Sequence, residues 1–277
     1  MKKVLLATTA LVLSAGVASA EISLSGDGYV GVSRETAYMT GGAFDNEIKY
    51  DSRFQLNVDG SVESESGVGV SARFRIRNEE GGAATISAPR INVTAGAVTV
   101  SFGNTDSAVR ARTNPYGSCV GNLGDYCSIH VWGSGFSSTG GAGDRVRLDY
   151  ASDAVSVSLS GSVDGDEDLQ LGISGAMGGV NASLGYVAAD DAAYVVDVNG
   201  TFGTVNAGVR YSDDGTDAIG TLYGNSTFGA TTASFFVSNA DSMAWGAGLS
   251  HDLGGGVNIG GAIADDDNVQ VHVGFSF

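Results

Sequence analysis

The sequence predicts an all-β fold: a closed, sixteen-stranded antiparallel barrel that crosses a membrane. Three observations predict it. Beyond residue 20 polarity alternates with period two in stretches of about ten residues, the geometry of strands whose side chains point to opposite faces. The breaks between stretches alternate in chemistry, glycine-rich and then acidic. No apolar run after residue 20 approaches the roughly 18 residues of a spanning helix, so a membrane role falls to strands that pair their backbone groups with neighbours.

The first element is an export signal over 1–20. Met1, Lys2 and Lys3 form a basic head, 4–15 is apolar, and Ala18, Ser19 and Ala20 form a small-residue cleavage site, so the barrel domain is expected over 21–277. The chain carries 14 basic and 31 acidic residues, and loss of Lys2 and Lys3 takes its formal charge from −17 to −19. That balance argues against nucleic acid as a partner, which requires a basic footprint.

Clear strand patterns cover 22–33, 47–58, 68–77, 98–103, 155–163, 169–177, 180–188, 205–211 and 269–277. Weaker ones at 87–95, 145–151, 193–202, 218–228, 231–238, 244–253 and 257–264 bring the count to sixteen, with fourteen as the alternative. An even number of such strands closes a transmembrane barrel. Short glycine breaks at 95–97, 177–179, 202–204, 228–230 and 253–256 alternate with acidic ones at 164–168, 190–191, 213–217, 241 and 265–267. In an up-and-down barrel this puts tight turns at one rim and negative charge at the other. The break 59–67, with Glu63 and Glu65, is an exception to the charge rule.

One break is long. Residues 104–144 lack strand periodicity yet hold Pro115, both cysteines and the aromatics Tyr116, Tyr126, Trp132 and Phe136, which favours a folded, functional loop. Parity then sorts the wall. In 269–277 the valines and phenylalanines share one face and Gln270 and His272 the other, and the apolar set must meet lipid because unpaired polar groups there are costly. The same rule turns Lys49, Arg53, Arg73, Arg75, Arg77, Arg90, Arg145 and Arg147 into the lumen. These arginines either line a water-filled space or fill a core against paired carboxylates, and sixteen strands enclose too wide a space to fill with side chains.

The signal segment, the opening Ile22-Ser23-Leu24-Ser25-Gly26-Asp27, Ser52-Arg53-Phe54, the stretch from Ser226 to Thr232, the run His251-Asp252-Leu253-Gly254-Gly255-Gly256, the segment from Gly260 to Asp265, and the terminal Phe277 carry a resemblance. Over its whole length, and most at its ends, the chain resembles the trimeric general porins of Rhodobacter-type alphaproteobacteria. The resemblance implies a homotrimer in the outer membrane of a Gram-negative cell, contact with lipid and lipopolysaccharide, and delivery by the barrel assembly machinery through Phe277. It further implies that 104–144 folds inward as a constriction loop, with acidic loop residues facing the basic wall. Here the loop carries Asp106, Asp125 and Asp144 but also Arg110 and Arg112, a departure that favours an anion-tolerant eyelet.

Cys119 and Cys127, eight residues apart in an exported chain, read as a disulfide inside the loop. A metal site with Asp125 and His130 is the alternative, without the close cysteine pairing of zinc sites. Asp164, Asp166 and Asp168 offer weak calcium ligation or simply a solvated rim; no other cofactor is indicated. The three histidines form no nucleophile pattern, which speaks against an enzyme. The expected function is passive diffusion of small hydrophilic solutes and ions, filtered by size and charge at the loop, with a non-conducting structural or adhesive barrel as the alternative.

Overall fold

The computed structural model describes residues 20–34, 48–113, 119–120, 126–127, 131, 135–138, 144–163, 169–241, 244–265 and 268–277. Sixteen strands build the wall. They are β1 (Glu21–Arg34), β2 (Ile48–Glu63), β3 (Val68–Glu79), β4 (Arg90–Ala95), β5 (Val98–Gly103), β6 (Arg145–Ala151), β7 (Val155–Ser162) and β8 (Gln170–Met177), then β9 (Val180–Val187), β10 (Ala193–Phe202), β11 (Val205–Asp213), β12 (Ala218–Phe228), β13 (Thr231–Ser238), β14 (Trp245–Gly254), β15 (Val257–Ala264) and β16 (Asn268–Ser276). Each pairs antiparallel with its sequence neighbour, and β1 pairs with both β2 and β16, so the sheet closes without an edge. Reciprocal backbone bonds between Gly26 and Phe277, 2.9 and 3.0 Å, seal the seam at the last residue.

The wall has sixteen long strands among the described residues, not fourteen, and each expected stretch is one of them. Two boundaries differ for physical reasons. β2 runs on to Glu63, through an Asp59-Gly60 pair that reads as a turn, because Asp59 faces the lumen and pairs with Arg73 while the β2–β3 register continues unbroken. The stretch 87–95 begins as strand only at Arg90; a two-residue piece, Thr85–Ile86, pairs with β3 ahead of Pro89, which has no N–H for the ladder.

Parity decides the faces as expected. Outward Val271 is 51% exposed, while its inward neighbours Gln270 and His272 are 1% and 2%. At the seam, the rings of Phe54, Phe275 and Phe277 lie 6.3–6.5 Å apart on the lipid side, over Gly26 and Gly28. A Cβ at either glycine would overlap those rings, so here glycine makes room for the aromatic cluster.

The connections divide as the sequence indicates. Breaks near 96, 178, 203, 229 and 255 are tight turns with glycines at positive φ. The opposite rim carries Glu80, Asp190, Asp191, Asp214, Asp217, Asp241 and Asp265 among its described residues. Within the long break, Ala108–Arg112 forms a short helix, α1, whose N-cap Ser107 accepts the Arg110 N–H.

Candidate functional site: the lumen and its inward segment

The early strands raise a basic ladder on the inner wall, because alternate positions of one strand share a face. Arg73, Arg75 and Arg77 stand along β3, with Arg53 beside them on β2 and Arg90 across from Arg73 on β4. Lys49 stands on the same face of β2, in register with Ser33 of β1. Crowded guanidinium groups repel one another unless counter-charges or dipoles intervene, and the wall supplies most of these itself. Asp59 holds Arg73 through two bonds, 2.6 and 3.0 Å. Asp27 holds Arg53 at 3.1 Å and takes a second bond from Gln55 at 2.6 Å. Glu79 pairs with Arg77. Arg75 differs: its partners are the Asn57 amide oxygen, the Ser138 hydroxyl and the Phe136 ring.

The long segment enters this lumen and is seated on three parts of the wall. Its first seat is α1. Ala108 and Val109 are fully buried, the Ala108 N–H donates to Ser160 of β7 at 2.7 Å, and Val109 packs with Val131 and Val195. Inward Gly172 and Gly185 leave the space that α1 fills, since a Cβ at Gly172 would overlap the Ala108 carbonyl and one at Gly185 would come within 2.7 Å of Val109. At the second seat Val120, 1% exposed, packs with Tyr223, Phe236, Ala262 and Ala264, beside inward Gly246. The third is the basic ladder itself. Phe136 lies against the guanidinium groups of Arg75 and Arg90 at 4.9 and 5.7 Å, and Ser138 takes bonds from Arg75 and Arg77 at 2.9 and 3.2 Å.

Further arginines fasten the root of the segment. Asp106 binds the Phe136 N–H at 2.9 Å and lies 3.4 Å from Arg110 and 3.9 Å from Arg90, so the outgoing and returning chains meet on one carboxylate. Arg147 donates to the Asp106 carbonyl at 2.6 Å and Arg145 to that of Thr105. Asp149 is shared by Arg112 and Arg147, each at 2.8 Å. Below α1, toward the tight-turn rim, lies a polar space of about 340 Å³ lined by Asn92, Thr99, Ser101, Arg112, Arg147 and Asp149.

The predicted basic residues thus gather on one wall, but they divide in task. Arg53 and Arg73 face the lumen with wall carboxylates, Arg77 is shared between Glu79 of the wall and Ser138 of the segment, and Arg75, Arg90, Arg145 and Arg147 grip the segment. Asp106, expected to face the wall across an opening, is in contact with it. Arg210, far along the chain, is enclosed with Asp197 at 3.1 Å, and Asp197 also accepts from the Tyr223 hydroxyl at 2.8 Å. Cys119 lies opposite Cys127 in a small antiparallel pair and is disulfide-bonded. Asp125, His130, the run 164–168 with Asp164, Asp166 and Asp168, and the signal residues 1–19 lie outside the described residues. The seats themselves were missed, although their signal is visible: Val187, Val195, Tyr223, Phe236 and Ala262 are apolar side chains on the lumen parity, out of step with the alternation.

Comparison with known proteins bears on this architecture. The family model for Gram-negative porins matches residues 7–270. A porin of Fuscovulum blasticum is 29% identical over 295 aligned positions, which cover 93% of this chain and 100% of that protein. Among solved structures, a triple mutant of Rhodopseudomonas blastica porin superposes with a TM-score of 0.78 at 22% identity, over 92% of this chain and 100% of that one. A fivefold mutant of the same porin gives 0.80 at 21%, with the same coverage. At that identity the superpositions speak for the fold, and the family match, over nearly the whole sequence, decides membership: the chain belongs to the Gram-negative porin family and forms a channel across the outer membrane.

Proposed function

We propose that the channel passes small hydrophilic solutes and ions by passive diffusion, and that the segment 104–144 sets the passage by size and charge, with no catalytic step. One observation carries this reading: the segment is seated inside the lumen on three stretches of wall, while the wall beside Arg53 and Arg73 stays polar. A lumen narrowed by an anchored loop admits solutes by cross-section, and the charges nearest the passage bias which ions enter. The Cys119 bridge stiffens the part of the segment that reaches the β12–β15 wall. The resemblance to Rhodobacter-type porins supports a homotrimer, lipopolysaccharide contact at the acidic rim and recognition of Phe277 by the assembly machinery.

Liposomes carrying the refolded protein test this directly. Swelling rates in sugars of rising size should fall steeply beyond a cut-off. Equal rates for all sugars would contradict a loop-set passage, and no swelling from inserted protein would leave a structural or adhesive barrel.

A further inference from the structure

We infer that the ion selectivity of this porin is set by two carboxylates of the wall itself, Asp27 and Asp59, acting as fixed counter-charges to Arg53 and Arg73. The inference rests on the diffusion reading above and deepens it. Asp27 sits on the lumen parity of β1 and Asp59 on that of β2, where the strand continues through what the sequence presents as a turn. Asp59 meets Arg73 in the bidentate geometry that makes such pairs strong, and Asp27 is fixed from two sides by Arg53 and Gln55.

Exposure separates these pairs from the arginines at the root of the segment; Arg77 and Glu79, at 25% and 41%, are as open, but Arg77 is also bonded to Ser138 of the segment. Arg73 and Asp59 keep 31% and 29% of their side-chain surface open, and Arg53 and Asp27 keep 23% and 36%. Arg112, Arg147 and Asp149 are more enclosed, at 18%, 13% and 11%, and serve the segment. A permeating ion therefore meets Arg53 and Arg73 chiefly as neutralised pairs. Removing the carboxylates leaves two positive charges on the passage, with a preference for anions that weakens as salt screens them.

The test is the reversal potential of single channels under a salt gradient, for wild type, Asp27→Asn, Asp59→Asn, the double variant, and the charge-keeping pair Asp27→Glu and Asp59→Glu. The anion-to-cation permeability ratio should rise about threefold in the double variant, in part in each single variant, with a larger rise at low salt. The Glu variants should remain near wild type, which separates charge from a purely structural role. An unchanged ratio in conducting double-variant channels, or in the single variants if the double fails to fold, overturns the inference. Silence from inserted wild-type protein overturns the diffusion reading, and the inference with it.

Discussion

Arg73 shows what one side chain contributes here. Its guanidinium stands on the lumen face of β3, binds Asp59 through two bonds and leaves about a third of its surface open. Replacing it by alanine removes a positive charge and leaves the carboxylate uncompensated, so Arg73→Ala should move the permeability ratio toward cations, as should Arg53→Ala through Asp27. An unchanged reversal potential in both variants would mean that these residues do not face the conducting path. Arg210 is the instructive contrast. It is an inward arginine too, but at 3% exposure, locked to Asp197 under Tyr223, it holds the wall and sees little of the lumen.

At the scale of elements, α1 is too short to persist alone: one turn closes few hydrogen bonds against the cost of nucleation. It is held by its seat, where Val109 enters the hollow left by Gly185 and packs with Val195 and Val131. Gly185→Leu should therefore expel α1, because overfilling a packed site costs about 1–3 kcal/mol. Trypsin reports the result at Arg110 and Arg112, with cleavage expected to speed up severalfold relative to Gly69→Leu, whose site has open space around it. Equal cleavage in the two variants would show that the glycine hollow does not hold the segment.

Across the whole molecule, the barrel was legible because lipid and water impose opposite demands on alternate residues, leaving period two in nearly every strand. Parity alone placed Arg53, Arg73, Arg75 and Arg77 together on the inner wall. What stayed hidden is non-local. That Phe136 rests on Arg75, or Val120 on Phe236, depends on chain segments about sixty to more than a hundred positions apart, with no periodic trace. The end of β2 was hidden for a different reason. Asp59-Gly60 has turn chemistry, and only the partner Arg73 across the ladder explains why the strand continues.

The central claim is that the segment seated in the lumen limits the passage. It is tested most directly by single-channel current in a planar bilayer, comparing the wild type with a variant in which 110–137 is replaced by a short glycine-serine link. The account predicts a clearly larger conductance for the variant, with the barrel's strand signal retained. The same conductance in both would contradict it and place the constriction elsewhere in the barrel.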